Sequence, residues 1–208
     1  MLLGPSTASW TTFGVDTVSG DNAGAALAAV NHLLEIGHTR IAMAAGVAGT
    51  PPREHRVLGY RRALSEHHIP TEERLIRAGE FTQEGGYEAT RELLRMSPRP
   101  TAIFTANDLM AIGAMQALRE EGLSVPGDMS LVGFDNIAMA GLIHPGLTTI
   151  DQFSREAGTR AANRLFARLK GEDTGPPTFQ QLNFALVIRE STRALDAPER
   201  GGKPPAAD

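Results

Sequence analysis

The sequence predicts an α/β fold, a parallel sheet with helices on both faces, and three observations predict it. Short apolar runs alternate with longer segments of helical periodicity through most of the 208 residues. The spacing between runs leaves room for one helix each time, and such βαβ crossovers are right-handed, which sets the strands parallel. Two of the runs end abruptly on amide and carboxylate residues: Ile103-Phe104-Thr105-Ala106 on Asn107-Asp108, and Leu131-Val132-Gly133-Phe134 on Asp135-Asn136.

The elements follow in order. Residues 22–36 carry Ala26, Leu27, Val30, Leu33 and Leu34 on one stripe and stop at Gly37, so they read as a helix. Residues 40–45 read as a strand. Residues 53–67 carry Val57, Tyr60, Ala63 and Leu64, with Thr50 as N-cap and Pro51 as first helical residue. A strand is predicted at 75–81. A helix at 84–96 carries Tyr87, Leu93 and Leu94 and halts at Ser97-Pro98. The strand at 101–106 leads to a helix at 108–121, with Leu109, Ile112, Met115 and Leu118 ahead of Gly122. A strand at 130–134 is followed by a short helical segment after Asn136. The strand at 147–150 precedes a helix at 154–170, with Ala157, Ala161, Leu165 and Leu169, closed by Gly171. A last strand is predicted at 184–188. Residues 196–208 are rich in Pro, Gly and charge and are expected to be disordered.

Composition excludes several function classes. A net charge of −4 gives no basic stripe with which these residues would grip a nucleic-acid backbone. With no cysteine, disulfides, thiolate metal sites and cysteine nucleophiles are excluded. No apolar run is long enough for a membrane span, and the first residues lack the pattern of a signal peptide. The expected address is the cytoplasm. His32, His38, His55, His67, His68 and His144 show no metal-ligand spacing. The sequence has no G-x-S-x-G elbow, no G-x-x-x-x-G-K loop and no G-x-G-x-x-G after a strand. Catalysis, a metal and a cofactor are therefore not expected.

In an open parallel sheet, ligands bind in the crevice beyond the carboxyl ends of the strands. Four successive strand ends here offer suitable groups. The first leads through Gly46 to Arg53 and Arg56, the second ends on Phe81, the third on Asn107-Asp108, and the fourth on Asp135. Carboxylate, forked cation and aromatic face together suit a small ligand rich in hydroxyls or ring nitrogens. Structural alternatives stand beside this reading. Asn107 or Asp108 would serve as an N-cap, Asp135 as a cap of the short helix after it, Phe81 as core, and Arg56 as a solvated helix residue.

Several stretches resemble the effector-binding core of LacI/GalR-family transcriptional regulators. They are "VSGDNAGAALAAVNHLLEIGHTRIAMAAG", "REHRVLGYRRAL", "GEFTQEGGYEAT", "PTAIFTANDLMAIGAMQAL", "VPGDMSLVGFDN", "HPGLTTI" and "LVIRESTR", in family order from about Val18 to Arg193. The resemblance implies a periplasmic-binding-protein-like type I fold of two α/β lobes with a small effector, of sugar or nucleoside class, between them. It implies a homodimer whose lobe closure controls DNA binding by an N-terminal helix-turn-helix headpiece. Residue by residue, it assigns ligand contacts to Asp21 from the first lobe and to Arg56, Phe81, Asn107 and Asp135 from the second. Arg53 is a weaker match, because the position where some members carry a second arginine holds Glu54. Asn136 replaces the second acidic residue of the usual "FDD". Alternatives are a periplasmic-type sugar-binding protein and a truncated interaction remnant without ligand.

Nothing before Val18 resembles the headpiece or the opening of the first lobe. Residues 1–37 and 148–175 are expected to be what the chain carries of that lobe, with 38–147 and 176–195 forming a complete second lobe. Helices 22–36 and 154–170 would then present apolar stripes to a sheet that is largely missing. Uncovered apolar area costs roughly 25 cal/mol per Å² and favours association. A dimer or larger assembly is predicted; light scattering at micromolar concentration tests it, and a clean monomer contradicts it.

Overall fold

The computed structural model describes residues 2–3 and 14–195; the expectation of disorder for 196–208 lies outside them. The strands are β1 (Leu2–Leu3), β2 (Thr17–Gly20), β3 (Ile41–Ala45), β4 (Ile76–Ala78), β5 (Ala102–Thr105), β6 (Ser130–Phe134), β7 (Thr148–Asp151), β8 (Phe179–Leu182) and β9 (Ala185–Val187). The helices are α1 (Asn22–Glu35), α2 (Pro51–Glu66), α3 (Gln83–Leu94), α4 (Asp108–Glu120) and α5 (Ser154–Leu169), with 3-10 turns at Glu73–Leu75 and Ala138–Gly141. The first of these turns takes the start of the strand expected at 75–81, leaving β4 at three residues.

Two sheets result. The larger has the order β4-β3-β5-β6-β7-β9, and the smaller β1-β2-β8. Every pairing is parallel except that of β9, which runs antiparallel to β7 along the edge. The larger sheet is buried on both faces, as parallel sheets require. Side chains alternate along β3: Ile41, Met43 and Ala45 face α1 and α2, while Ala42 and Ala44 face α3 and α4. Tyr60 is fully buried on the first face, and its hydroxyl donates to the Ile41 carbonyl at 2.8 Å.

Glycines let the helix pairs approach closely. A Cβ at Gly59 of α2 would stand 2.2 Å from the Ala23 carbonyl oxygen of α1, and one at Gly113 of α4 would stand 1.8 Å from that of Gln83 in α3. Only a residue without Cβ fits either contact.

The expected lobe boundaries shift in three places. α1 does not belong with a first-lobe remnant: Ala26, Val30 and Leu33 are fully buried against the larger sheet. β7 also lies in the larger sheet, while β8, which the sequence reading did not identify, pairs with β2 in the smaller one. The apolar stripe of α1 is therefore covered. That of α5 is only partly so. Ala161 packs with Val18 and Leu182, but Leu165, Phe166 and Leu169 are 41%, 58% and 73% exposed. Asp16 ties this smaller unit together, bridging Arg164 and Arg168 of α5 and the backbone N–H of Thr178. The Arg168 guanidinium holds its carboxyl well below the usual carboxylate range.

At the amino ends of β3, β5 and β6 the C-terminal segment packs against the larger sheet. His38 is buried; its Nε2 donates to the Arg193 carbonyl at 3.1 Å and its Nδ1 accepts from the Thr101 hydroxyl at 2.9 Å. His32 meets Thr192 at 3.0 Å. Burial depresses both imidazole pKa values; the hydrogen bond to the Arg193 carbonyl opposes this at His38, where the charges of Arg193 and His32 add to it, and Glu35 opposes it at His32. As pH falls, the unfolded chain takes up these protons first, at its ordinary value near 6.5. The stability that neutral His32 and His38 contribute is thus present above about pH 6.5 and lost below it. Replacing His38 by Gln is expected to flatten the fall in urea midpoint between about pH 7 and pH 5; an unchanged slope would remove His38 from the account.

Candidate functional site

The carboxyl ends of β5 and β6 and the start of α1 meet around one buried cation, Arg56. Arg56 projects from the second turn of α2 and is 6% exposed. Its Nε donates to Asn22 Oδ1 at 2.9 Å, and its Nη1 donates to the Ala106 carbonyl at the end of β5. The guanidinium carbon lies 3.8 Å from the centre of the Phe134 ring, and Nη2 lies 3.8 Å from Asp135 Oδ1. A desolvated guanidinium over an aromatic face gains from the ring quadrupole. Burial lowers the Arg56 pKa to about 10, opposed by the charges of Asp135 and Asp108, so it is cationic at neutral pH.

Asp135 follows β6 directly and has a φ of 112°, in the region that favours glycine. Its Oδ1 also accepts from Gln152 Nε2 at 2.6 Å. Burial raises its pKa, with Arg56 and then Gln152 acting against the rise. One third of the side chain remains exposed.

Asn107 caps α4: its Oδ1 accepts from Met110 N at 2.9 Å, while its Nδ2 donates to the Phe81 carbonyl at 2.9 Å. An amide has two N–H donors and two lone pairs, and these bonds use one of each. Phe81, with φ of 58°, lays its ring over Gly46, where a Cβ would stand 2.0 Å from Cζ. Asp108 is fully buried and faces inward, accepting from Thr149 Oγ1 at 2.5 Å and from Ile137 N at 2.8 Å. Burial pushes its pKa up to about 6, opposed by these two hydrogen bonds. It ties β7 and the loop after β6 to α4, beneath the rim.

Four sequence-derived candidates, Arg56, Phe81, Asn107 and Asp135, are thus brought together, and two stand apart. Arg53 pairs with Glu54 at 2.7 Å, and its Nε is buried without a partner. Asp21 caps α1, accepting from Gly24 N at 2.8 Å, and lines a separate hollow with Gln181, Asn183 and Phe184. Its neighbour Asn22 is the residue that reaches Arg56.

Sequence reasoning missed Asn22, Gln152 and Phe153. The strand-end rule, applied to β7 as it was to the four strands before it, would have found the last two. A hollow of about 560 Å³ opens beside Asp135, lined also by Asn136, Asp151, Phe153 and Arg155. A groove of about 500 Å³ along α4 and residues 143–145 shares no residue with the rim.

A doubly covered parallel sheet with ligand-competent groups at its carboxyl edge, joined by crossovers to a second sheet, defines a type I periplasmic-binding-protein-like module. The chain belongs to the periplasmic binding protein-like domain family, whose sequence profile matches residues 30–192. It is 41% identical over 179 residues to the HTH-type transcriptional repressor CytR of Escherichia coli K12, an alignment covering 86% of this chain and 52% of CytR. The chain spans about half the length of the curated relatives it matches. Among solved structures it resembles the complex of the transcriptional regulator CelR with cellobiose, at TM-score 0.84 and 35% identity over 91% of this chain and 58% of that one. It also resembles a LacI-family regulator from Enterococcus faecium with bound ribose, at TM-score 0.84 and 31% identity over 94% and 71% of the two chains. The likeness to LacI-type regulators seen in the sequence stands on these matches.

Removing Arg56 breaks the ion pair, two hydrogen bonds and the ring contact together. Arg56→Ala is expected to cost about 3 kcal/mol in urea unfolding, and Arg56→Lys, which keeps the charge but not the fork, about 1–2 kcal/mol. Equal stability of Arg56→Ala and the unsubstituted protein would show that the guanidinium does not organise the strand ends.

Proposed function

We propose that this chain is the effector-sensing module of a LacI-type transcriptional regulator. It binds a small polyhydroxylated molecule, of sugar or nucleoside class, at the rim of Arg56, Phe81, Asn107 and Asp135. The observation that carries the reading is the partly exposed Asp135 carboxylate held against the buried Arg56 guanidinium. A carboxylate fixed in this way accepts hydrogen bonds from adjacent hydroxyls, and Phe81 offers an apolar face to a ring. The sugars held by the two solved relatives support the class.

The transcriptional repressors among its relatives support binding as the role of the rim. Residues of the smaller unit close over the rim when ligand binds, and closure shifts the population between DNA-competent and DNA-incompetent states of a homodimer. The exposed Leu165, Phe166 and Leu169 of α5 support self-association. DNA contact belongs to a headpiece elsewhere in the full-length regulator, which would act in the cytoplasm. No helix among the described residues is long and apolar enough to cross a membrane.

Isothermal titration with D-ribose, cellobiose, cytidine and adenosine tests the reading. At least one is expected to give saturable heat, and Asp135→Asn is expected to weaken it by roughly ten- to a hundredfold, as for loss of hydrogen bonds to a charged group. Absence of saturable heat with all four, or equal affinity in Asp135→Asn, would overturn it.

A further inference from the structure

Between β7 and α5 the chain leaves the larger sheet and enters the smaller unit, where α5 packs on β2 and β1. This crossover is pinned to the rim by consecutive side chains. Gln152 Nε2 donates to Asp135 Oδ1 at 2.6 Å, the same oxygen that Arg56 faces at 3.8 Å. Asp151 Oδ2 accepts from Asn136 Nδ2 at 3.0 Å, and its Oδ1 accepts from Phe153 N at 2.7 Å. Asn136 in turn accepts at Oδ1 from Arg189 Nη2 at 2.8 Å. The relay thus runs from the segment after β9, through the loop after β6, to the crossover.

Asn136 is suited to this place because a side-chain amide donates on one side and accepts on the other. A carboxylate there would keep Arg189 but would set a second negative charge against Asp151 in place of a donor. Asp135, Asn136 and Phe153 all have positive φ, at 112°, 51° and 51°. For an aromatic residue such as Phe153 this conformation needs support from its surroundings, and Asp151 Oδ1, accepting from Phe153 N, is part of that support.

We propose that Gln152 and Asn136 form a latch that holds the β7–α5 crossover to the rim, and that a ligand hydroxyl engaging Asp135 displaces Gln152 and so frees the crossover. The latch stands on the hydrogen bonds alone; its release by ligand rests on the ligand-binding reading of the rim. Gln152 is then a positioning residue that competes with the ligand, and removing it strengthens binding. A direct ligand contact by Gln152 would have the opposite sign.

Two measurements on the full chain separate these parts. Hydrogen exchange without ligand reads the latch. In Gln152→Ala and in Asn136→Ala, a peptide spanning residues 151–157 is expected to exchange several-fold to about tenfold faster, with peptides of β3 and β5 unchanged. Unchanged exchange at 151–157 in both variants would overturn the latch. Titration of Gln152→Ala with D-ribose, cellobiose, cytidine and adenosine reads the release. Whichever of them binds the unsubstituted protein is expected to bind the variant roughly three- to tenfold more tightly, as for removal of one competing hydrogen bond. Equal or weaker binding would overturn release. If none of the four gives heat with the unsubstituted protein, the ligand reading and release fail together, while the exchange result still decides the latch.

Discussion

A guanidinium withdrawn from water must be compensated on every side, and Arg56 is the group around which the strand ends are arranged. Its neighbours come from α1 (Asn22), the end of β5 (Ala106), the last residue of β6 (Phe134) and the turn beyond it (Asp135). Each supplies a different kind of compensation: amide oxygen, carbonyl, aromatic face and counter-charge. An uncompensated buried cation would cost several kcal/mol. These segments are consequently held in one mutual position.

Around this centre the fold is uneven. The central strands of the six-stranded sheet carry apolar clusters on both faces, and its helix pairs interlock at Gly59 and Gly113. The three-stranded sheet has a small apolar cluster and depends more on charge, with Asp16 gathering two arginines and a backbone amide. The two units are joined through short crossovers such as the one between β7 and α5. The Gln152–Asp135 and Asn136–Asp151 contacts sit at one of those crossovers.

Much of this was legible in the sequence. Apolar runs ending on Asn107-Asp108 and Asp135-Asn136 marked strand ends, and the crossover rule put those ends on one edge. The stripe Val57, Tyr60, Ala63 and Leu64 marked the face of α2 that turns inward, whereas in α4 the stripe read as Leu109, Ile112, Met115 and Leu118 shares only Leu118 with the buried face of Met110, Ala111, Ala114 and Ala117. The strand-end rule was applied to four strands and not to β7, so Gln152 and Phe153 went unnoticed. Asn107 turned out to cap α4 as well as to brace Phe81, the two roles its position allows. Asp108, which the sequence offered as a ligand group or a cap, is instead a buried brace, accepting from Thr149 Oγ1 and Ile137 N.

Length, spacing and periodicity determined that the chain makes a parallel sheet between helices and that its polar groups gather at one edge. They did so because burial repeats with the geometry of each element, and a stripe or a run records that geometry locally. What a stripe does not record is its partner. The stripe of α1 reads the same whether it covers one sheet or the other, and only the tertiary structure places it on the larger sheet and gives β7 and β8 to different sheets. Side-chain pairing was decided at the same level. Arg56 meets Asn22, Ala106 and Asp135 from 34, 50 and 79 positions away in the chain, and contacts across such separations leave no periodic trace.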